Sequence, residues 1–249
     1  MNWPVVPLCK AQLTDVNPTD ILYDGLYRRC NVYKGGGGYD KFPEIYQKRF
    51  GERNNLNSQF VVQLRGCPLR CPYCYVTQEG IWGKPKLIST DQLVEAFRES
   101  KCEVFHLMGG APALYIEHWM EIIEQIPDKV FHSDLLLQEK EYDTKTIIEL
   151  GQKENCLYAV SIKGTHGDEF RRNTGKDLNR TMFWKNLDTL VHFELPFYFT
   201  FTGMSENSIA EFKHIILDRY GFYGLLDHSF AIEIIRYNAL DYIGGETSA

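Results

Sequence analysis

Three of the seven cysteines lie within eight residues of one another, in the segment GCPLRCPYCYV at 66–76. Cys67, Cys71 and Cys74 have the spacing CxxxCxxC and directly follow the apolar run FVVQL at 60–64. Thiolates are good ligands for soft and borderline metals, and clustered cysteines in a reducing compartment bind metal or do redox chemistry more often than they form disulfides. The spacing therefore predicts a metal site.

The number of clustered thiols bears on which metal is bound. Prolines 68 and 72 and Gly66 disfavour a helix, so the three sulfur atoms can converge. Structural zinc sites and iron–sulfur clusters usually have four ligands, and the other cysteines are scattered singly at positions 9, 30, 102 and 156. A loop that supplies three thiolates to an iron–sulfur cluster would leave one iron open to a substrate or cofactor. We favour this interpretation, with zinc and isolated core cysteines as alternatives.

Composition narrows the possible partners and the compartment. The net charge of -6 and pI of about 5.7 argue against the diffuse basic surface that binds nucleic acid. No apolar run approaches the ~18 residues that span a bilayer, and the sequence MNWPVVPLCKAQ lacks the pattern of a signal peptide. We therefore expect a cytoplasmic protein with no membrane partner.

Apolar runs and helical periodicity alternate from residue 58 onward. The runs predict strands at 60–65, 103–108, 129–134, 157–163, 196–202 and 229–236. Helical spacing predicts helices at about 90–100, 113–125, 143–152, 180–192 and 206–220. Strands joined through helices are parallel, so the sequence predicts an α/β fold, a partial (β/α)6 barrel, with a flat doubly wound sheet as the alternative.

Three regions are expected on this basis. Residues 1–57 would form an irregular N-terminal extension packed on the core, 58–240 the barrel, and 241–249 a tail. Residues 41–50 predict a short helix. The run Gly35–Gly38 lacks the Lys-Ser or Lys-Thr of a phosphate-binding loop, so we interpret it as a flexible surface loop.

Unusual residues follow the predicted strands at their carboxyl ends, where α/β barrels hold their active sites. They are Gly109, Gly110, Ala111 and Pro112 after the second strand, Ser133 and Asp134 after the third, Ser161 and Lys163 after the fourth, Thr200 and Thr202 after the fifth, and Glu233, Arg236 and Tyr237 after the sixth. This pattern predicts a site at the mouth of the barrel. The seven histidines show no metal-binding spacing and are interpreted as structural.

The cysteine segment GCPLRCPYC resembles the cluster-binding loop of the radical S-adenosylmethionine (radical SAM) enzymes, including Tyr73 before the third cysteine. LMGGAP is similar to that family's GGEP turn, with Ala111 in place of Glu. VSIKGTHGDEFRRNTG resembles the fourth-strand segment of compact members related to activating enzymes, so the resemblance covers roughly residues 58–237.

This resemblance implies two cofactors. Cys67, Cys71 and Cys74 would hold a [4Fe-4S] cluster whose fourth iron is chelated by S-adenosyl-L-methionine (SAM). An electron from a low-potential donor, a flavodoxin or ferredoxin, would then cleave SAM to methionine and a 5′-deoxyadenosyl radical that abstracts hydrogen from the substrate.

It also implies which residues contact SAM. The turn of Gly109, Gly110 and Ala111 would bring the backbone close to the methionine amino group. The remaining candidates are Asp134, Ser161 and Lys163 for the ribose and carboxylate and Tyr73 for packing near adenine.

Substrate and reaction stay open at this point. The substrate is a peptide, a protein or a small metabolite, and the missing Asp-Gly-Pro-Gly stretch before the cluster loop argues against a glycyl-radical activase. A non-catalytic iron–sulfur electron-transfer or metal-sensing protein is the alternative function. A ferredoxin-like carrier would normally be smaller and show a fourth clustered cysteine, which favours the enzyme.

Overall fold

A computed structural model of the protein describes residues 1–6, 21–23, 26–29, 42–53, 56, 58–74, 76, 81–138, 140–221 and 233–235. The strands are β1 (Asn2–Val5), β2 (Ile21–Tyr23), β3 (Leu26–Arg29), β4 (Gln59–Leu64), β5 (Lys86–Ser89), β6 (Val104–Gly109), β7 (Val130–Leu135), β8 (Cys156–Ile162), β9 (Phe197–Thr202) and β10 (Glu233–Ile235). The α-helices are α1 (Phe42–Phe50), α2 (Thr90–Ser100), α3 (Trp119–Ile123), α4 (Thr144–Gly151), α5 (Gly167–Thr174), α6 (Arg180–His192) and α7 (Glu206–Tyr220), and a 3₁₀ helix spans Pro112–His118.

Six parallel strands run through the described part of the chain in sequence order, β4-β6-β7-β8-β9-β10. A doubly wound sheet would reverse its strand order at a switch point, whereas this order runs in one direction and the sheet is open. The predicted partial (β/α)6 barrel is therefore confirmed. All six residues of β4 and of β9 are buried, as expected for strands covered on both faces.

Four of the five predicted helices of the barrel lie where they were predicted, whereas the segment predicted as a helix at 113–125 forms the 3₁₀ helix followed by the short α3. Local sequence signals begin and end these four helices. Ser89 caps α2 with a capping box, accepting a hydrogen bond from the backbone of Gln92 while the Gln92 side chain accepts one from the Ser89 backbone. Asp143, Asn179 and Ser205 cap α4, α6 and α7. Gly221 ends α7 in the left-handed conformation.

The two faces of the sheet have different coverings. The outer face carries large apolar side chains, including Phe105, Phe131, Tyr158 and Phe199, in the main hydrophobic core with the helices. On the inner face, Tyr46 of α1 packs in a smaller apolar cluster with residues at the amino ends of the strands, namely Val104, Val130, Leu157 and Tyr198. Helix α1 therefore covers the amino end of the inner face and leaves the carboxyl end for polar residues.

The described part of the N-terminal region adds strands that the sequence did not predict. β1 pairs antiparallel with β5 along its length and with β4 at Val5 and Leu64, and β3 pairs antiparallel with residues 59–62 of β4. Helix α5 and strand β5 were also missed. The division into 1–57, 58–240 and 241–249 stays a prediction, and Gly35–Gly38 and 241–249 lie outside the described residues.

No helix in the described ranges combines the length and the apolar character that crossing a bilayer requires.

Candidate active site

The cysteine loop starts where β4 ends, and backbone hydrogen bonds join it to three other segments of the chain. The Gly66 N–H donates to the Ile81 carbonyl at 2.9 Å, and the Gly66 carbonyl accepts from Ala111 at 2.7 Å. Further along, the Arg70 N–H donates to the carbonyl of Thr174 at the end of α5 at 2.7 Å. The loop is thus held to the segment before β5, to the turn after β6 and to the helix after β8.

The glycine turn after β6 lies directly against this loop. A Cβ at Gly110 would stand 2.0 Å from the Gly66 carbonyl oxygen, and a Cβ at Gly109 would stand 2.6 Å from the Gln63 side chain. Gly66 and Gly109 also have positive φ angles of 94° and 101°. The turn therefore needs glycine for packing and backbone conformation. Its predicted approach to the methionine amino group stays a prediction.

The three predicted ligands share one apolar environment. Cys67 is buried, and Cys71 and Cys74 are partly exposed. They pack into one hydrophobic cluster that includes Leu69, Ala111, Leu136 and Phe170. Soft sulfur donors in a largely apolar setting with limited solvent access suit an iron–sulfur cluster. The described Cys102 and Cys156 are buried in the main core instead.

Tyr73 links the cysteine loop to the ends of β8 and β9. Its hydroxyl donates to the Thr202 carbonyl at 3.4 Å, and the Lys163 ammonium lies 5.6 Å from its ring centroid. Burial raises the pKa of Tyr73 above its ordinary value, and the neighbouring Cys71 raises it further. Tyr73 therefore stays a neutral phenol, and its ring carries a cation over one face.

Most of the other predicted site residues fall on or beside the inner face, but Ser133 faces the outer core, where its hydroxyl donates to the Leu107 carbonyl at 3.4 Å. Ser161 and Thr200 are register partners on β8 and β9, and their hydroxyl oxygens are 3.2 Å apart. Asp134, near the end of β7, has an oxygen 3.9 Å from Nε2 of His106 on β6. The structure therefore brings Tyr73 near Lys163 and places Asp134 beside a histidine. Their proposed contacts with SAM stay predictions.

Several site residues were missed from the sequence. Asn173 donates from Nδ2 to the Lys163 carbonyl at 2.9 Å and to the Gly203 carbonyl at 2.8 Å, joining the ends of β8 and β9. Its place in the RRNTG segment was the available signal. No sequence signal pointed to His106 and His132, because their proximity depends on strand register.

Arg236 and Tyr237, predicted after the sixth strand, lie outside the described residues. Strand β10 contributes the backbone of Glu233, which pairs in register with Thr200.

A family model described as Radical SAM superfamily matches residues 61–218, which is more than half of the chain. No curated protein matches the sequence.

Solved structures of low sequence identity also match. Streptococcus suis SuiB bound to S-adenosylmethionine is 11% identical, with a TM-score of 0.47 over 62% of this chain and 35% of that one. The enzyme anSMEcpe with bound AdoMet is 16% identical, with a TM-score of 0.44 over 63% and 45%. HydG, a maturase of the [FeFe]-hydrogenase, is 12% identical, with a TM-score of 0.45 over 72% and 43%. The match thus spans less than half the length of each of these proteins.

Proposed function

The chain belongs to the radical SAM superfamily, and from this premise we propose that it is an enzyme that cleaves SAM reductively at a cluster held by Cys67, Cys71 and Cys74. The cofactors of this family, a [4Fe-4S] cluster and SAM, are those predicted from the sequence. The observation that carries the proposal is that the three cysteines pack in one apolar cluster at the carboxyl end of β4, beside the glycine turn.

The thiol count suits this chemistry. When bound, the cluster and SAM supply a one-electron cleavage that yields methionine and a 5′-deoxyadenosyl radical, which takes hydrogen from the substrate. Three thiolates leave one iron without a protein ligand, which is the position a chelating cofactor needs. The surrounding apolar side chains Leu69, Leu136 and Phe170 keep water away from a reactive radical.

The neighbouring residues are suited to hold SAM in place. Tyr73 offers a neutral aromatic face near adenine, while Ser161 and Lys163 can bind the ribose hydroxyls and the methionine carboxylate. We keep Asp134 as a candidate contact for the ribose. The methyl side chain of Ala111 cannot accept a hydrogen bond, so at this turn the methionine ammonium group would be bound by the backbone carbonyls of Gly109 and Gly110.

The partners follow from the same proposal. A flavodoxin or ferredoxin in the cytoplasm would supply the electron. The substrate, a peptide, a protein or a small metabolite, would enter at the carboxyl ends of the strands, and the N-terminal extension would help to shape its site.

The test is anaerobic reconstitution of the cluster, followed by incubation with SAM and a strong reductant. We expect 5′-deoxyadenosine and methionine, and Cys71→Ala is expected to lose both the four-iron cluster and the cleavage products. Cys102→Ala is the matched control, because this cysteine is buried in the main core away from the loop and its loss should leave both intact.

Two outcomes would contradict the proposal. An intact four-iron cluster that never yields 5′-deoxyadenosine would favour the electron-transfer or metal-sensing alternative. Retention of the cluster in Cys71→Ala would refute the assignment of the ligands.

A further inference from the structure

Two buried histidines lie side by side on the inner face of the sheet, closer to the amino ends of the strands than the predicted cofactor site. The parallel register pairs His106 of β6 with His132 of β7, and their rings lie 4.3 Å apart with an angle of 84° between the planes. Their exposed fractions are 6% and 2%. Asp134 follows His132 by two residues, so it faces the same side of the sheet.

These three side chains converge. One ring nitrogen of each histidine and one carboxylate oxygen of Asp134 all lie within 4.8 Å of one another. Ligands bound to one metal ion at about 2.1 Å in tetrahedral geometry stand roughly 3.4 Å apart. Small side-chain rotations would therefore be enough to bring the three atoms onto one ion.

Neighbouring residues fix the orientation of His106. Nδ1 of His106 lies 3.0 Å from the amide oxygen of Gln59, and the Gln59 amide nitrogen donates to the Tyr46 hydroxyl at 3.5 Å. An amide oxygen only accepts hydrogen bonds, so Nδ1 carries a proton, and in the neutral imidazole the lone pair is on Nε2, which faces Asp134. An acceptor that binds the N–H of the ring in this way sets the tautomer of many metal-binding histidines.

His132 has a comparable support on its other side. Its Nε2 lies 2.9 Å from the Tyr198 hydroxyl, which can accept the ring proton and leave Nδ1 as the basic nitrogen. Each histidine is therefore held by one polar neighbour at one nitrogen. The carboxylate of Asp134 supplies the negative charge that a divalent ion needs in a buried site.

We propose that His106, His132 and Asp134 bind one divalent transition-metal ion, of the class of Zn²⁺ or Fe²⁺, on the inner face of the sheet. Two imidazoles and a carboxylate are the ligand set for these ions, and three protein ligands leave a position for water or substrate. Asp134 is partly exposed, so the open position faces the carboxyl ends of the strands, where a substrate carboxylate or alkoxide can reach it. Asp134 is also the candidate contact for the SAM ribose in the proposed function, and the test below separates the two roles.

The test measures zinc binding to the protein with its cluster in place, so that the cysteine thiols are occupied. The protein is dialysed anaerobically against Zn²⁺, and bound zinc and iron are counted separately by mass spectrometry. We expect one zinc per chain in the wild type and at least a tenfold weaker affinity in His132→Gln and in Asp134→Asn. Circular dichroism and iron content report whether each variant is folded.

The matched control is His118→Gln. His118 pairs with Glu121 at 2.9 Å on the surface, so this substitution removes a histidine–carboxylate pair that is unrelated to the inner face. Zinc binding should be unchanged in this variant. The proposal is overturned if the wild type binds no zinc, or if zinc is lost equally in His118→Gln. It is also overturned if Asp134→Asn weakens SAM binding while zinc binding stays intact, which would return Asp134 to the cofactor site.

Discussion

At the scale of residues, the site depends on glycine at a position where any side chain would collide with a neighbouring segment. The contact between the Gly66 carbonyl and the turn after β6 leaves no room for a side chain at Gly110, and it fixes where the cysteine loop leaves β4. This contact holds the start of the cysteine loop, and the hydrogen bond from Arg70 to Thr174 holds the segment between Cys67 and Cys71. The glycines therefore help to position the loop that carries the three proposed ligands.

Gly110→Ala should displace the cysteine loop. The new Cβ would lie 2.0 Å from a backbone oxygen, so one of the two segments must move. We expect a loss of about 1–3 kcal/mol in the free energy of unfolding, as for overpacking, and incomplete cluster assembly. Denaturant titration and iron content measure the two effects.

Gly167→Ala is the control for this substitution. No atom lies within 4 Å of a Cβ at Gly167, the first residue of α5, so stability and iron content should match the wild type. Equal iron content in the two variants would show that the close contact at Gly110 does not position the ligands.

At the scale of elements, the barrel is assembled from capped helices that pack on the outer face and on one another. Helices α6 and α7 are joined by a polar cluster in which Arg219 donates to both carboxylate oxygens of Asp188 at 2.8 and 2.5 Å. The Tyr220 hydroxyl donates to the same carboxylate at 2.7 Å. Because β9 lies between these helices in the chain, the cluster joins the helix before β9 to the helix after it in the outer layer.

Asp188→Asn should weaken this link in a pH-dependent way. The hydrogen bond from Arg219 holds the pKa of Asp188 below its ordinary value. The link therefore contributes stability above the unfolded pKa of about 3.9 and loses it as pH falls through the lower folded pKa. The side chains are partly exposed, so we expect a difference from the wild type of at most about 1 kcal/mol at neutral pH, which shrinks below about pH 4.

The comparison is made by urea titration at several pH values, with Asp177→Asn as the control. Asp177 also pairs with an arginine, Arg171, but it is 79% exposed, so its loss should have little effect at any pH. A stability difference for Asp188→Asn that grows as the solution is made more acidic would contradict the assigned role.

At the scale of the whole molecule, the inner face is divided into an apolar half and a polar half. Tyr46, on a helix from the N-terminal extension, fills the amino end with Val104, Val130 and Leu157. The polar half at the carboxyl end holds Ser161, Thr200 and Asp134, and the two histidines lie at the boundary, where His132 pairs in register with Leu157 and its ring lies 5.9 Å from that of Tyr46. The open barrel is thus closed at one end by a segment that lies outside the match to the family model.

Tyr46→Ala should leave a cavity at the amino end of the inner face. Tyr46 is fully buried, so its loss leaves a cavity that costs about 3–5 kcal/mol, the range for large aromatic residues. We also expect weaker zinc binding at the proposed metal site, because Tyr46 accepts the hydrogen bond that orients Gln59. Denaturant titration and the zinc assay check the two effects.

Tyr46→Phe separates packing from hydrogen bonding. It keeps the ring and removes the hydroxyl, so it should cost much less stability than Tyr46→Ala. Equal stability of Tyr46→Ala and the wild type would show that α1 does not support the inner face.

The sequence by itself determined that the strands are parallel and where the cysteine loop lies, and its motifs indicated the family, whereas the strand order was decided by the tertiary structure. Apolar runs, helical periodicity and caps such as Ser89 act over a few residues, and CxxxCxxC is a local motif, so each is visible in a single segment. Tertiary structure alone decided that Gly110 lies against Gly66, that β1 and β3 extend the sheet, and that His106, His132 and Asp134 converge. These contacts depend on strand register and on chain segments about 30 or more residues apart, and neither composition nor local spacing encodes them.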